Sequence, residues 1–132
     1  MLNRYDPLRS YASPFDPTAP LRIMQGNNSP WSHKKHEGIR HDLSNAIDFA
    51  VPFGTGVYAT HGGSVYRAFD RQTRCYRGED PNIGLVLTPN FILVMDKDDA
   101  LTFYAHLAYL GNTVVKGDSI NSEPPPSKLG GF

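Results

Sequence analysis

The sequence is poor in cysteine, has no long apolar run and carries no excess of charge of either sign. Cys75 is the only cysteine in 132 residues, which excludes an internal disulfide framework and a zinc cluster built from several cysteines. No apolar stretch approaches the length of a membrane span, so we expect a soluble domain with no membrane span. A metal site in this chain would have to be built from His, Asp or Glu.

The balance of charge also limits the partners that the sequence predicts. Thirteen basic residues offset thirteen acidic ones, so net charge gives no reason to expect nucleic acid or an anionic membrane as a partner. The opening MLNRYDPLRSY lacks the basic-then-apolar pattern of a secretory signal. Two interpretations stay open: the protein remains inside the cell, or its true N-terminus is missing from this chain.

The length predicts one domain with a single hydrophobic core. Residues 1–20 are rich in proline and are expected to form an extended lead-in. Residues 21–120 are expected to form the domain itself, because short runs rich in Val, Ile, Phe, Tyr and Thr alternate there with Gly and Pro. These runs are LRIM, AIDFAV, VYAT, SVYRAF, IGLVLT, FILVMD and LTFYAHL. The pattern predicts an all-β fold with an antiparallel sheet, sandwich or barrel, and no stretch has a convincing helical period.

Two local features refine this prediction. FILVMDKDDALTFYAHL has the pattern of a β-hairpin that turns at residues 97–100. Residues 121–132 contain three consecutive prolines and a Gly pair, which are not expected in a central strand. We therefore expect an irregular tail there.

Three residues are candidates for metal chemistry. His41 precedes the predicted strand AIDFAV and Asp48 lies within it, so both side chains could converge on one ion. Catalytic zinc typically takes three protein ligands and leaves the fourth position to water, whose pKa the metal lowers to ~7. His106 ends the run LTFYAHL and is a third candidate, either as a ligand or as a base near that water.

Each candidate also has a simpler structural interpretation. An Asp in an apolar strand, such as Asp48, is often a hydrogen-bonded structural residue. His106 lies between Ala105 and Leu107 and could be a half-buried histidine with satisfied hydrogen bonds. His61 precedes a Gly pair and is most simply a turn residue, and residues 33–36 are most simply a solvated loop. Spacing alone does not decide between the structural and the catalytic interpretation.

Two ordered motifs resemble the lysostaphin-type (LytM-like) zinc metalloendopeptidases, which are peptidoglycan hydrolases. NAIDFAVPFGTGVYATHGGSVYRA is similar to the family signature in which a His and a short spacer precede an I-D-F strand and a G-T-P-V turn. FILVMDKDDALTFYAHLAYLGNTVVKGDSI is similar to the family's later T-x-Y-A-H-L run and the V-x-x-G-D-x-I that follows it. The resemblance covers roughly residues 20 to 120, and a chance match to both motifs in order is not expected.

The resemblance implies a duplicated hybrid motif-like β fold and a zinc site. His41 would be the first metal ligand, Asp48 the second, and His106 the catalytic histidine that steadies or deprotonates the attacking water. QGNNSPWSH resembles a subgroup in which the His of Ser-His is the ligand, which would nominate His33 instead. His41 is preferred because its distance to Asp48 along the chain is closer to the usual spacing of the family.

The third zinc ligand of the family comes from a later H-x-H motif, and no histidine follows His106 in this chain. NSEPPPSKLGGF stands where that motif is expected, as a frameshift, an early stop or a gene-model error would produce. Smaller departures are Gly56 in place of the usual Pro and Asp96 where the family often has His. The expectation is a C-terminally truncated domain that is inactive or weakly active.

The sequence therefore leaves three functions open. The leading interpretation is a zinc metalloendopeptidase domain that acts on peptide cross-links of bacterial peptidoglycan. The alternative is a degenerate, non-catalytic LytM-like module that binds the cell wall or activates another cell-wall hydrolase, such as an amidase. A third interpretation is an intracellular β-barrel binding module. The resemblance implies an extracellular, periplasmic or cell-envelope location.

Overall fold

The computed structural model describes residues 11–18, 20–26, 45–74 and 88–132. Within these ranges the secondary structure consists of strands and turns, with antiparallel pairing and no helix, which confirms the all-β prediction. The described strands are β1 (Arg22–Gln25), β2 (Asp48–Ala50), β3 (Gly56–Tyr58), β4 (Gly63–Phe69), β5 (Phe91–Met95), β6 (Leu101–Ala105), β7 (Ser119–Ile120) and β8 (Lys128–Gly131). None of the described residues belongs to a helix that could cross a membrane.

The chain divides into two compact units, one formed by Thr18–Pro52 and the other by Met1–Pro17 together with Phe53–Phe132. In the Thr18–Pro52 unit, β1 and β2 pair antiparallel, and Gln25 lies opposite Asp48. The register shifts between Ile23 and Gln25, as in a β-bulge. The predicted strands LRIM and AIDFAV thus pair with each other.

The larger unit contains a four-stranded sheet in the order β6-β5-β4-β7 and a separate pair, β3 with β8. Strand β5 shows why the sheet forms: Ile92 and Val94 are fully buried, while Phe91, Leu93 and Met95 are half-buried. This alternation has the period of two that places successive side chains on opposite faces of a strand. The core of the unit consists of Phe15, Val57, Ala59, Val65, Ile92, Val94, Tyr104, Leu107, Ile120 and Leu129.

The predicted hairpin is confirmed. Strands β5 and β6 pair antiparallel from Phe91 opposite Ala105 to Met95 opposite Leu101. In the turn, the Asp96 N–H donates to the Ala100 carbonyl at 2.9 Å, and Asp96 Oδ1 accepts the N–H of Ala100 at 3.0 Å. A carboxylate that bonds its own following backbone is a common way to close such a turn. Most of the predicted strand IGLVLT lies outside the described residues.

The expectation of an irregular tail is wrong for residues 128–131, which form β8. Gly130 and Gly131 pair with Val57 and Gly56 of β3, and Leu129 is completely buried. The prolines lie before the strand, so they remove no hydrogen-bond donor from it. A Cβ on Gly130 would lie 3.0 Å from the Gly111 carbonyl oxygen, so the Gly pair permits close packing.

Residues of the predicted lead-in cover the other side of β3. The Tyr58 N–H donates to the Pro14 carbonyl at 2.8 Å, and the Ala12 N–H donates to the Thr60 carbonyl at 2.8 Å. Phe15 is buried and its ring centroid lies 6.2 Å from that of Phe132. Strand β3 is therefore held from one side by residues 12–15 and from the other by β8.

Candidate functional site

Asp48, the predicted second zinc ligand, begins β2 and its side chain is exposed. Its Oδ2 accepts a hydrogen bond of 2.9 Å from the Gln25 side-chain amide across the β1–β2 pair. A hydrogen-bonded carboxylate at a strand end is compatible with both interpretations of Asp48, as a metal ligand and as a structural residue. Carboxylates that ligate metals are commonly hydrogen-bonded by a neighbouring side chain, and so are structural ones.

His106, the predicted catalytic histidine, directly follows β6 and is exposed. Its backbone has a φ of 62°, in the left-handed region that few non-glycine residues adopt. Holding a non-glycine residue there costs on the order of 1 kcal/mol, so the surrounding structure must determine it. The interpretation of His106 as a half-buried, satisfied histidine does not match its exposure, because the buried neighbours are Tyr104 and Leu107.

Asn90 fixes the backbone just beyond His106. Its side chain is 5% exposed and makes three hydrogen bonds with the backbone. Nδ2 donates to the Leu107 carbonyl at 3.1 Å and to the Gln72 carbonyl at 3.0 Å, while Oδ1 accepts the Gln72 N–H at 2.8 Å. The Leu107 N–H also donates to the Asn90 carbonyl at 3.2 Å. The chain that leaves His106 is therefore tied to the residue preceding β5.

His61 is a buried residue whose ring makes two hydrogen bonds, rather than a simple turn residue. It is 8% exposed, and its Nδ1 lies 2.9 Å from the Gly62 carbonyl oxygen. A carbonyl can only accept, so Nδ1 carries the proton. In the neutral ring Nε2 then accepts from the Thr102 hydroxyl at 2.6 Å. The ring of Tyr11 packs edge-on at a centroid distance of 5.7 Å.

Tyr104 forms a second buried contact between β6 and the loop that follows β3. Its hydroxyl accepts the Thr60 N–H at 3.0 Å and lies 2.6 Å from Thr60 Oγ1. Burial raises the pKa of Tyr104, and the hydrogen bonds from Thr60 act in the opposite direction. His61 and Tyr104 thus join β6, the strand that leads to His106, to residues 60–62.

The predicted residues fall in different parts of the molecule. Asp48 belongs to the Thr18–Pro52 unit, and His106 belongs to the other unit. His41 and the alternative ligand His33 lie outside the described residues. Among the residues that the structure describes, no three His, Cys, Asp or Glu side chains form a group that could hold a metal ion. The zinc site stays a prediction.

Three residues of this region were missed by sequence reasoning, or given too small a role. Asn90 lies between a proline and an apolar strand. No local sequence pattern there indicates whether its side chain is buried and hydrogen-bonded or exposed in a loop. Tyr104 is part of the family-like run, but its hydroxyl partner is distant in sequence. The Gly pair that follows His61 indicates a turn, whereas the contact of His61 with Thr102 depends on the fold.

Comparisons of the chain with protein-family models, with curated proteins and with solved structures found no match. Over the residues that the structure describes, it defines an all-β class with antiparallel sheets. The lysostaphin-type assignment depends on the two ordered sequence motifs and stays a proposal.

Proposed function

We propose that this chain is a lysostaphin-type (LytM-like) zinc metallopeptidase domain acting on peptide cross-links of bacterial peptidoglycan, at the cell envelope or outside the cell. The single observation that carries the proposal is the pair of motifs, which occur in the family's order over roughly residues 20 to 120. The antiparallel β architecture supports it, because the first motif spans β2 to β4 and the second spans β5 to β7.

The setting of His106 supports the role of a proton-transfer residue. A general base must reach the water or substrate from which it takes a proton. His106 is exposed while its neighbour Leu107 is buried, so the imidazole is accessible and the backbone beside it is fixed. The Asn90 side chain donates to the Leu107 carbonyl, and the Asn90 backbone carbonyl accepts the Leu107 N–H, which gives this fixation a physical cause.

Zinc fits the described residues in part. Asp48 offers an exposed carboxylate oriented by the Gln25 amide, which is the chemistry expected of an oxygen ligand. The residues that would hold the ion are His41 and Asp48. When bound, zinc would polarise the scissile carbonyl and activate a water molecule. The described residues contain no complete ligand group for the ion.

The 132 residues are proposed to have little or no peptidase activity on their own. Residues 107–132 contain no histidine, so the H-x-H motif that supplies the third ligand is not present in them. Two protein ligands rarely hold zinc tightly at a catalytic site, because the remaining positions fall to water.

The zinc proposal is tested by equilibrating the purified chain and two variants with excess free zinc and measuring the bound metal by elemental analysis, because a site with two protein ligands is expected to hold the ion weakly. Asp48→Ala should lose the metal, while Glu123→Ala, which removes another exposed carboxylate, should keep it. About one zinc per chain in the unmodified protein, lost only in Asp48→Ala, supports the site. No zinc in the unmodified protein, or equal loss in both variants, contradicts it.

A non-catalytic LytM-like module is the second candidate function, and the absence of histidine from residues 107–132 favours it. Such a module would bind peptidoglycan or activate an amidase without cleaving peptides itself. Incubation with purified cell-wall sacculi separates the two functions. Co-sedimentation without release of muropeptides, unchanged in His106→Ala, supports the module, and muropeptide release that His106→Ala abolishes supports the peptidase.

A further inference from the structure

Strand β6 is an edge of the four-stranded sheet, and its sequence is unusual for an edge. In the described part of the chain, β6 pairs with β5 alone. Its five residues, LTFYA, include no charge and no proline. Natural proteins usually protect an exposed edge with charged side chains, proline or a bulge, because the unpaired backbone groups of an edge can pair with another strand. Strand β6 has none of these protective features.

The direction of the free backbone groups follows from the turn. The Asp96 N–H donates to the Ala100 carbonyl, so this pair occupies a hydrogen-bonded position at the start of the hairpin. Hydrogen-bonded and non-hydrogen-bonded pairs alternate along an antiparallel ladder. The N–H and C=O groups of Leu101, Phe103 and Ala105 therefore point away from β5. Leu101 and Phe103 are each 52% exposed, so their side chains are accessible as well.

A row of aromatic rings leads across the sheet to this edge. The ring centroids of Phe69 and Phe91 lie 6.2 Å apart, and those of Phe91 and Phe103 lie 5.3 Å apart. These separations are typical of favourable aromatic pairs. The row crosses from β4 to β6 and ends at Phe103, whose outer side has no aromatic neighbour among the described residues.

We propose that β6 pairs antiparallel with β6 of a second copy of this chain, which makes a symmetric dimer with one continuous sheet. A two-fold axis beside Phe103 places Phe103 opposite Phe103 of the other copy and Leu101 opposite Ala105. The three residues with outward backbone groups then bond one another across the axis. The aromatic row continues from one copy into the other. A two-fold interface requires this kind of self-complementarity.

The polar residues at the two ends of β6 favour this partner. Continuing the register places residue 100 opposite residue 106 of the other copy. The turn that contains the exposed Lys97, Asp98 and Asp99 thus lies beside the exposed His106 of the second chain at both ends of the interface, where an imidazole N–H can donate to a carboxylate. The chain has no net charge at neutral pH, so two copies do not repel each other at long range.

The size of the surface sets the strength that we expect. A stable interface of standard size engages about 20–30 residues of each partner. A five-residue edge with its adjoining face supplies only a fraction of that number. We therefore expect a reversible dimer with a dissociation constant on the order of 100 µM.

Sedimentation equilibrium over about 10 µM to 1 mM tests the dimer. The unmodified chain should pass from monomer to dimer, and Phe103→Lys should weaken the association at least about tenfold, because two like charges would then face each other. Tyr66→Lys is the matched control, since Tyr66 is 45% exposed but lies on the interior strand β4. Far-UV circular dichroism verifies that both variants are folded.

Cross-linking tests the register independently of stability. In a Cys75→Ser background, Phe103→Cys should form a disulfide with itself, because hydrogen-bonded partners have Cα atoms about 5.5 Å apart. Leu101→Cys should not cross-link with itself but should do so when mixed with Ala105→Cys.

Three outcomes overturn the proposal. One is a protein that stays monomeric up to about 1 mM, and another is loss of the dimer in Tyr66→Lys equal to that in Phe103→Lys. The third is a monomer whose β6 amides gain protection from hydrogen exchange only when an extended, uncharged peptide is added. That result would assign the edge to a peptide ligand instead.

Discussion

Among the buried side chains of the described structure, that of Asn90 makes the most hydrogen bonds. Replacing Asn90 tests whether these bonds fix the backbone beside His106. Asn90→Ala removes three bonds, which leaves the Leu107 carbonyl and both backbone groups of Gln72 without these partners. A buried polar group left unpaired costs ~1–3 kcal/mol. The Leu107 carbonyl is buried, whereas Gln72 is near the surface and can take up water. We expect Asn90→Ala to lower the free energy of unfolding by about 3 kcal/mol.

Asn121→Ala is the matched control for this experiment. Asn121 also bonds the backbone through both side-chain atoms, at 2.7 Å and 3.2 Å to Glu123, but it is exposed. Water can replace those bonds, so the loss should be about 0.5 kcal/mol. Urea unfolding followed by far-UV circular dichroism measures both values. A difference between the variants of less than about 1 kcal/mol would refute the reasoning that burial of the Asn90 network decides its contribution.

The remaining predictions concern the core, a close backbone contact and one buried hydroxyl. Leu129→Ala should cost about 2–5 kcal/mol of unfolding free energy in urea, because the side chain is completely buried. Gly63→Ala should destabilise the protein far more than Gly54→Ala in a thermal melt: both have positive φ, but only at Gly63 would a Cβ collide with the Met95 carbonyl. The raised pKa of Tyr104 means that the folded state holds its proton more tightly than the unfolded chain, whose pKa is 10.0. This contribution is complete below about pH 10 and is lost as pH rises through the folded pKa, so Tyr104→Phe should flatten the alkaline fall in stability measured by urea unfolding at several pH values.

The strands could be predicted where the sequence carries a period of two and ends in a clear turn. FILVMDKDDALTFYAHL contains both signals, and the hairpin of β5 and β6 follows with the predicted turn. The same reasoning failed at KLGG, because it treated a Gly pair as unsuitable for a strand. Gly130 is in fact packed so closely against Gly111 that a side chain would be crowded there. A contact between segments distant in sequence is not visible in a local pattern.

In the candidate site, too, some residues can be predicted from the sequence and others only from the structure. The sequence marks His106 through the run that precedes it, and the structure adds its exposure and left-handed backbone. The sequence does not mark Asn90, because its role depends on Gln72 and Leu107, which are distant along the chain. The metal prediction needs His41, which lies outside the described residues, so it awaits the zinc measurement.

The pairing of β3 with β8 has a consequence for the folding kinetics. Gly56 lies opposite Gly131, so the two partners are separated by 75 positions (131 minus 56). The hairpin of β5 and β6, by contrast, closes over a turn of a few residues. Contacts between distant segments require a large loss of chain entropy before they stabilise the fold, so they tend to form late and slow the reaction. Interactions formed after the transition state act mainly on the unfolding rate. The lifetime of the folded protein should therefore depend on β8, while its folding rate should depend more on the hairpin.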